Sequence, residues 1–143
     1  MLSNSSKYAL KAVLYLALNS DESRKILAKN ISEPINVPRA YIAKLLQELS
    51  RHNLVSSTRG PKGGFFLNVE NRAATLIKIV DVIDGDHRLR SCMLSLKECN
   101  EDHPCPLHGL VGNAKSNFIK NLEKTTINDL AIDLEQQKSF LPV

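Results

Sequence analysis

The sequence predicts a mainly α chain with one small β-hairpin, on three observations. Apolar residues recur at helical spacing in several separate segments, the primary signal for amphipathic helices. Two short runs of strand character flank a single Gly-rich turn. Apolar content of 43% over 143 residues is enough for one real core, so wholesale disorder is not expected.

The first helix is expected from about Ser5 to Asn19, with Ala9, Leu10, Val13, Leu14, Leu16, Ala17 and Leu18 forming its apolar face. Asn19 to Ser23 reads as a polar turn. A short second piece carries Ile26, Leu27, Ala28 and Ile31, and is expected to stop before Pro34, because proline pushes the preceding residue out of the helical region. Pro38 suits the first position of a third helix, where its missing N–H costs nothing. Behind it, Tyr41, Ile42, Leu45, Leu46 and Leu49 form an apolar stripe. Arg39, Lys44, Gln47 and Arg51 fall mainly on other faces.

Leu54–Thr58 and Phe65–Val69 have strand character, and Arg59-Gly60-Pro61-Lys62-Gly63-Gly64 between them reads as a hairpin tip. Two short helices, a tight turn, a basic helix and a hairpin follow the order of a winged helix-turn-helix. Another helix is expected from Thr75 to Asp84, apolar enough to be covered on both sides, with Gly85 as its stop. A cysteine-bearing loop follows, then a long helix from about His108 to Lys124. Thr126 is the expected cap of a short C-terminal helix. The expected domains are residues 1–85 as the winged helix-turn-helix, 86–107 as the loop, and 108–143 as the long helix with the C-terminal one.

Charge points to a partner. Between Arg24 and Lys62 lie eight Lys/Arg against Glu33 and Glu48, a net +6 in a chain of net +4. A basic segment in an otherwise near-neutral chain is the footprint of a nucleic-acid binder. No apolar run approaches the ~20 residues that span a bilayer, and the start lacks the order of a signal peptide, so no membrane partner and a cytoplasmic location are expected.

In a helix-turn-helix the second helix enters the major groove by its N-terminal end. The candidates there are Pro38, Arg39, Ala40 and Tyr41, with Ala43 and Lys44 one turn on. Arg39 can pair with guanine or phosphate, and Lys44 suits a phosphate. Tyr41 has a competing use in the core of the motif. At the wing tip, Gly60, Gly63 and Gly64 allow close backbone approach, while Arg59 and Lys62 add charge.

All three cysteines fall in the loop, spaced Cys92-x6-Cys99-x5-Cys105-x2-His108. An odd number fits a disulfide framework poorly. Zinc sites usually hold a tight Cys-x2–4-Cys pair, which is lacking here. Wider gaps suit a larger object such as an iron–sulfur cluster. On residues alone, a cluster, zinc and a metal-free loop all stay open. A Cys/His redox or metal-handling enzyme is the reading from another class. It has neither a Cys-x-x-Cys pair nor a βαβ pattern to support it, and no enzymatic activity is expected.

Several stretches resemble the IscR/NsrR (Rrf-two) type of bacterial transcription regulator. They are Pro38 through Leu49, Asn53-Leu54-Val55, Arg59 through Phe65, Lys7-Tyr8-Ala9-Leu10, Ile79 through Gly85 and the cysteine loop. The resemblance covers nearly the whole chain. It implies a DNA-binding regulator, expected to be a repressor, that binds a palindromic operator in double-stranded DNA as a homodimer paired through the long helix. It further implies an iron–sulfur cluster, 2Fe-2S by the match of His108 to a histidine ligand of one family member, held by Cys92, Cys99, Cys105 and His108. The first gap is one residue longer than in that member. Tyr8 stands near the position where the nitric-oxide-sensing branch carries an acidic ligand. The implied signal is redox poise, nitric oxide or iron–sulfur status.

Overall fold

The computed structural model describes residues 2–142. In chain order it contains α1 (Asn4–Asn19), α2 (Ala28–Ile35), α3 (Arg39–Arg51), β1 (Ser56–Thr58), β2 (Gly64–Phe66), α4 (Val69–Arg72), α5 (Leu76–Asp84), α6 (His108–Lys124) and α7 (Ile127–Glu135). The mainly helical fold with one two-stranded wing is the expected class.

Helix α1 is the central post. Ser3 caps it by accepting the Ser6 N–H at 2.9 Å, and its inner face buries Ala9, Ala12, Val13, Leu16 and Ala17. Helices α2, α3, α5 and α7 pack around it. The Arg72 guanidinium donates to the Ala17 and Ser20 carbonyls at 2.7 and 2.9 Å, putting a cation on the carbonyl end of α1. A second tie joins the C-terminal part to this core. Thr75 and Thr126 form an antiparallel bridge, the Ile127 N–H donates to the Ala74 carbonyl at 3.0 Å, and Ile127 is fully buried.

Four local expectations are corrected. Helix α2 runs through Pro34 and ends at Asn36, which is left-handed at φ 55°. Ile31 and Ile35, one turn apart, are both fully buried, and that anchorage outweighs the preference of the residue before proline. Pro38 is the N-cap of α3 rather than its first residue, and its carbonyl accepts from Tyr41 and Ile42 at 3.1 Å. Leu54 and Val55 are not strand. The Leu54 N–H closes α3 onto the Leu49 carbonyl at 3.0 Å and Asn53 N–H onto Ser50 at 3.1 Å, with Asn53 left-handed: a Schellman cap. At the far side β2 ends at Phe66, because Asn68 and Asn71 form a capping box that turns the chain into α4.

The hairpin pairs Ser56 with Phe66 and Thr58 with Gly64. Ile26 adds a third rung through Phe65, with bonds of 2.9 and 2.7 Å in the two directions. The wing is thereby tied to the chain entering α2, which fixes it relative to α3.

Candidate nucleic-acid interface and cysteine loop

The basic residues of α3 and of the wing tip reach the surface of this frame. Arg39, Ala40 and Lys44 are exposed along α3, and Ala43 is half-buried. Tyr41 is held differently. Its hydroxyl is hydrogen-bonded to Ser5 and its ring meets Tyr8 edge-on at 5.6 Å between centroids, so it ties α3 to α1. At the wing tip Arg59, Gly60 and Lys62 are exposed. The other two glycines are buried and serve the hairpin itself. A Cβ on Gly63 would lie 2.3 Å from the Thr58 carbonyl oxygen, and one on Gly64 2.8 Å from the Ile26 backbone.

Between α3 and the wing lies a groove of about 620 Å³. Gln47, Ser50 and Arg51 line it from α3, and Ser57, Thr58 and Arg59 from the hairpin. Of these only Arg59 stood out in the sequence. The signal for the others was present as polar residues one helical turn apart on α3 and the outward-facing position of β1, but it has meaning only once helix and wing face each other. Arg51 pairs with Glu48 at 2.8 Å, and both are largely exposed, so the pair adds little stability.

The cysteine loop leaves α5 at Gly85. Arg90 fastens its first turn by donating to the Asp81 carboxylate at 3.1 Å and the Asp86 carbonyl at 2.7 Å; the bond to Asp81 raises the guanidinium's already high pKa. Farther on, Ser91 bridges Glu98, and the Cys92 N–H donates to the Lys97 carbonyl at 2.7 Å, closing a small loop with a sulfur at each end of its base.

All three cysteines are free thiols, half-buried at Cys92 and Cys105 and exposed at Cys99. Of the four candidate ligands, Cys99 and His108 line one cavity of about 290 Å³ with Glu98, Glu101 and Lys115, and Cys92 has the Cys105 thiol as a neighbour. Among the described residues no three His, Cys, Asp or Glu side chains converge on one point as a formed metal site. The donors do suit a cluster in their chemistry: three thiols and an imidazole within one loop and the first residue of α6. The Leu94 N–H, 3.5 Å from the Cys92 sulfur, and the Cys105 thiol lower the Cys92 pKa, favouring the thiolate that a metal requires.

The loop and the start of α1 are joined through one acid. Asp84, the last residue of α5, has a side chain only 5% exposed. It accepts the Ser3 hydroxyl and, at 2.7 Å, the Ser6 hydroxyl at the start of α1. Arg88, in the loop, lies 3.9 Å from the same carboxylate.

Residues 2–133 match the sequence profile of the Rrf2 family, described as iron-dependent transcriptional regulators. An Aquifex aeolicus protein described as an HTH-type transcriptional regulator is 34% identical over 98% of this chain and 96% of its own length. The regulator IscR of Vibrio cholerae is 28% identical over 94% of this chain and 76% of its own. Among solved structures, CymR, the global cysteine regulator of B. subtilis, superposes with a TM-score of 0.74 at 28% identity, over 92% of this chain and 96% of that one. Among the described residues no helix is long and apolar enough to cross a membrane.

Proposed function

This chain belongs to the Rrf2 family of transcriptional regulators, and we propose that it is a dimeric, DNA-binding repressor of the cytoplasm whose cysteine loop senses iron–sulfur or redox status. The observation that supports the reading is the exposure of Arg39 and Lys44 on α3 and of Arg59 and Lys62 at the wing tip, with Asp84 tying the start of the cysteine loop to α1, which α3 packs against. Arg39 and Lys44 would enter a major groove, with Pro38, Ala40 and Ala43 shaping the approach. Arg59 and Lys62, carried by Gly60, Gly63 and Gly64, would grip the adjacent backbone or minor groove. Tyr41 acts from behind, through its hold on α1.

Helix α6 supports a second copy as partner. Its 17 residues bury only Leu122 within the chain, while Leu110 is 79% exposed. Apolar surface at Leu110, beside the half-buried Val111, suits pairing with its own symmetry mate, and a two-fold dimer calls for a palindromic operator.

Cys92, Cys99, Cys105 and His108 would hold the iron–sulfur cluster, 2Fe-2S on this ligand set. The cluster supplies a centre whose presence and oxidation state answer to the cell. To hold it, the four donors would have to close toward one another. Iron and sulfide analysis of anaerobically purified protein, with its visible absorption spectrum, tests this. Near-stoichiometric iron and sulfide with a coloured protein is expected. A colourless protein without them contradicts it and leaves the cysteines to zinc or to thiol chemistry, a reading that the likeness to CymR keeps in view.

A further inference from the structure

Lys115 sits at the centre of the loop's attachment. It lies two helical turns beyond His108, so both project from the same stripe of α6. Its ammonium donates to the Ser91 carbonyl and, at 3.5 Å, to the Cys99 sulfur. Those two atoms lie on opposite arms of the base closed by the Ser91–Glu98 bridge. One side chain thus fastens both arms of the small loop to α6, and Cys92 and Cys99 are the residues next to the fastened base.

Lys115 also lines two cavities, one of about 330 Å³ with Cys92, Met93 and Phe118, and the one of about 290 Å³ with Cys99 and His108. Two other cations share those walls. Arg88 lies beside Asp84 and Arg90 is bonded to Asp81, each matched to a carboxylate. Among the described residues, Lys115 is matched instead to a carbonyl and a thiol.

We propose that Lys115 is a positioning residue of the cysteine loop: it seats Cys92 and Cys99 on α6 and keeps a fixed positive charge beside their sulfurs. The electrostatic half rests on the cluster reading above; the seating half does not. A cation near the sulfurs stabilises the more negatively charged, reduced state of a cluster, so it raises the reduction potential.

Lys115→Met, which keeps the stem and removes the charge, and Lys115→Arg, which keeps the charge, are compared with the parent in the full chain. In metal-free protein, hydrogen exchange of the 91–99 segment reads the seating. Lys115→Met should lose protection at the Cys92 amide on the order of tenfold, as for one lost hydrogen bond to a charged donor, and Lys115→Arg should retain most of it. Equal protection in parent and Lys115→Met overturns the seating role. In anaerobically reconstituted protein the midpoint potential reads the charge. It should fall in Lys115→Met and stay close to the parent in Lys115→Arg; an unchanged potential in Lys115→Met overturns the electrostatic role. A parent protein that takes up no iron and sulfide removes the cluster reading and the electrostatic half with it, while the exchange comparison still decides the seating.

Discussion

Asn71 shows what single residues do in this fold. Only 3% exposed, its amide oxygen accepts from Ser56 at 2.8 Å and from the Asn68 N–H at 2.9 Å, and its amide nitrogen donates to the Asn53 carbonyl at 2.9 Å. It thereby links the cap of α3, the wing and the start of α4. Asn71→Ala leaves several buried polar groups without partners and should cost about 2 kcal/mol, read as a lower urea midpoint with an unchanged slope. Nothing in the sequence marked Asn71, because its partners come from three separate segments. Tyr41 is the converse case. It was legible both as a base contact and as a core residue, and its ties to Ser5 and Tyr8 commit it to packing. Spacing and resemblance singled out Cys92, Cys99, Cys105 and His108, yet the seat of Cys99 beside His108 in one cavity depends on how the loop folds back on α6.

Elements were legible where periodicity was strong. Helices α1, α5 and α6 lie within a residue of their expected bounds, and α7 starts behind its expected cap Thr126. The departures occur where a local rule met a tertiary demand, as at Pro34, or where a cap consumed residues of strand composition, as at Leu54 and Asn68. The wing's tip carries two exposed cations whose expected task is phosphate contact. Arg59→Ala and Lys62→Ala should each weaken binding across all sequences and reduce the slope of log affinity against log salt by about 1. An Arg39→Ala protein should instead lose discrimination at one base position, by about 1–3 kcal/mol in competition against mismatched duplexes. Helix α6 offers a separate test. Leu110→Glu puts a charge into the surface that a second copy would cover, and should shift sedimentation toward monomer while the helical content of the chain is retained. An unaltered dimer would move the interface elsewhere.

At the scale of the whole molecule, the loop and the exposed basic residues of α3 and the wing occupy different parts of the chain but share one frame. Asp84 receives hydroxyls from the first turn of α1, α1 holds Tyr41 of α3, and Arg88 and Arg90 tie the loop to the end of α5. None of this was legible beforehand, since Ser6 and Asp84 are 78 residues apart and their contact depends on how α5 packs against α1. The return of α7 onto α1 is equally long-range, and it makes Ile127 and Ala131 part of the core around α1. Under the proposed function, the state of the loop sets how well Arg39, Lys44 and the wing tip engage DNA. This is tested most directly by selecting a preferred duplex from a random pool, then titrating that duplex with cluster-loaded protein and with the same protein after cluster removal, at one fixed salt concentration. The account predicts a change in affinity of about tenfold or more, the usual size of a coupling between two sites. Equal affinity and equal sequence preference in the two states would contradict it.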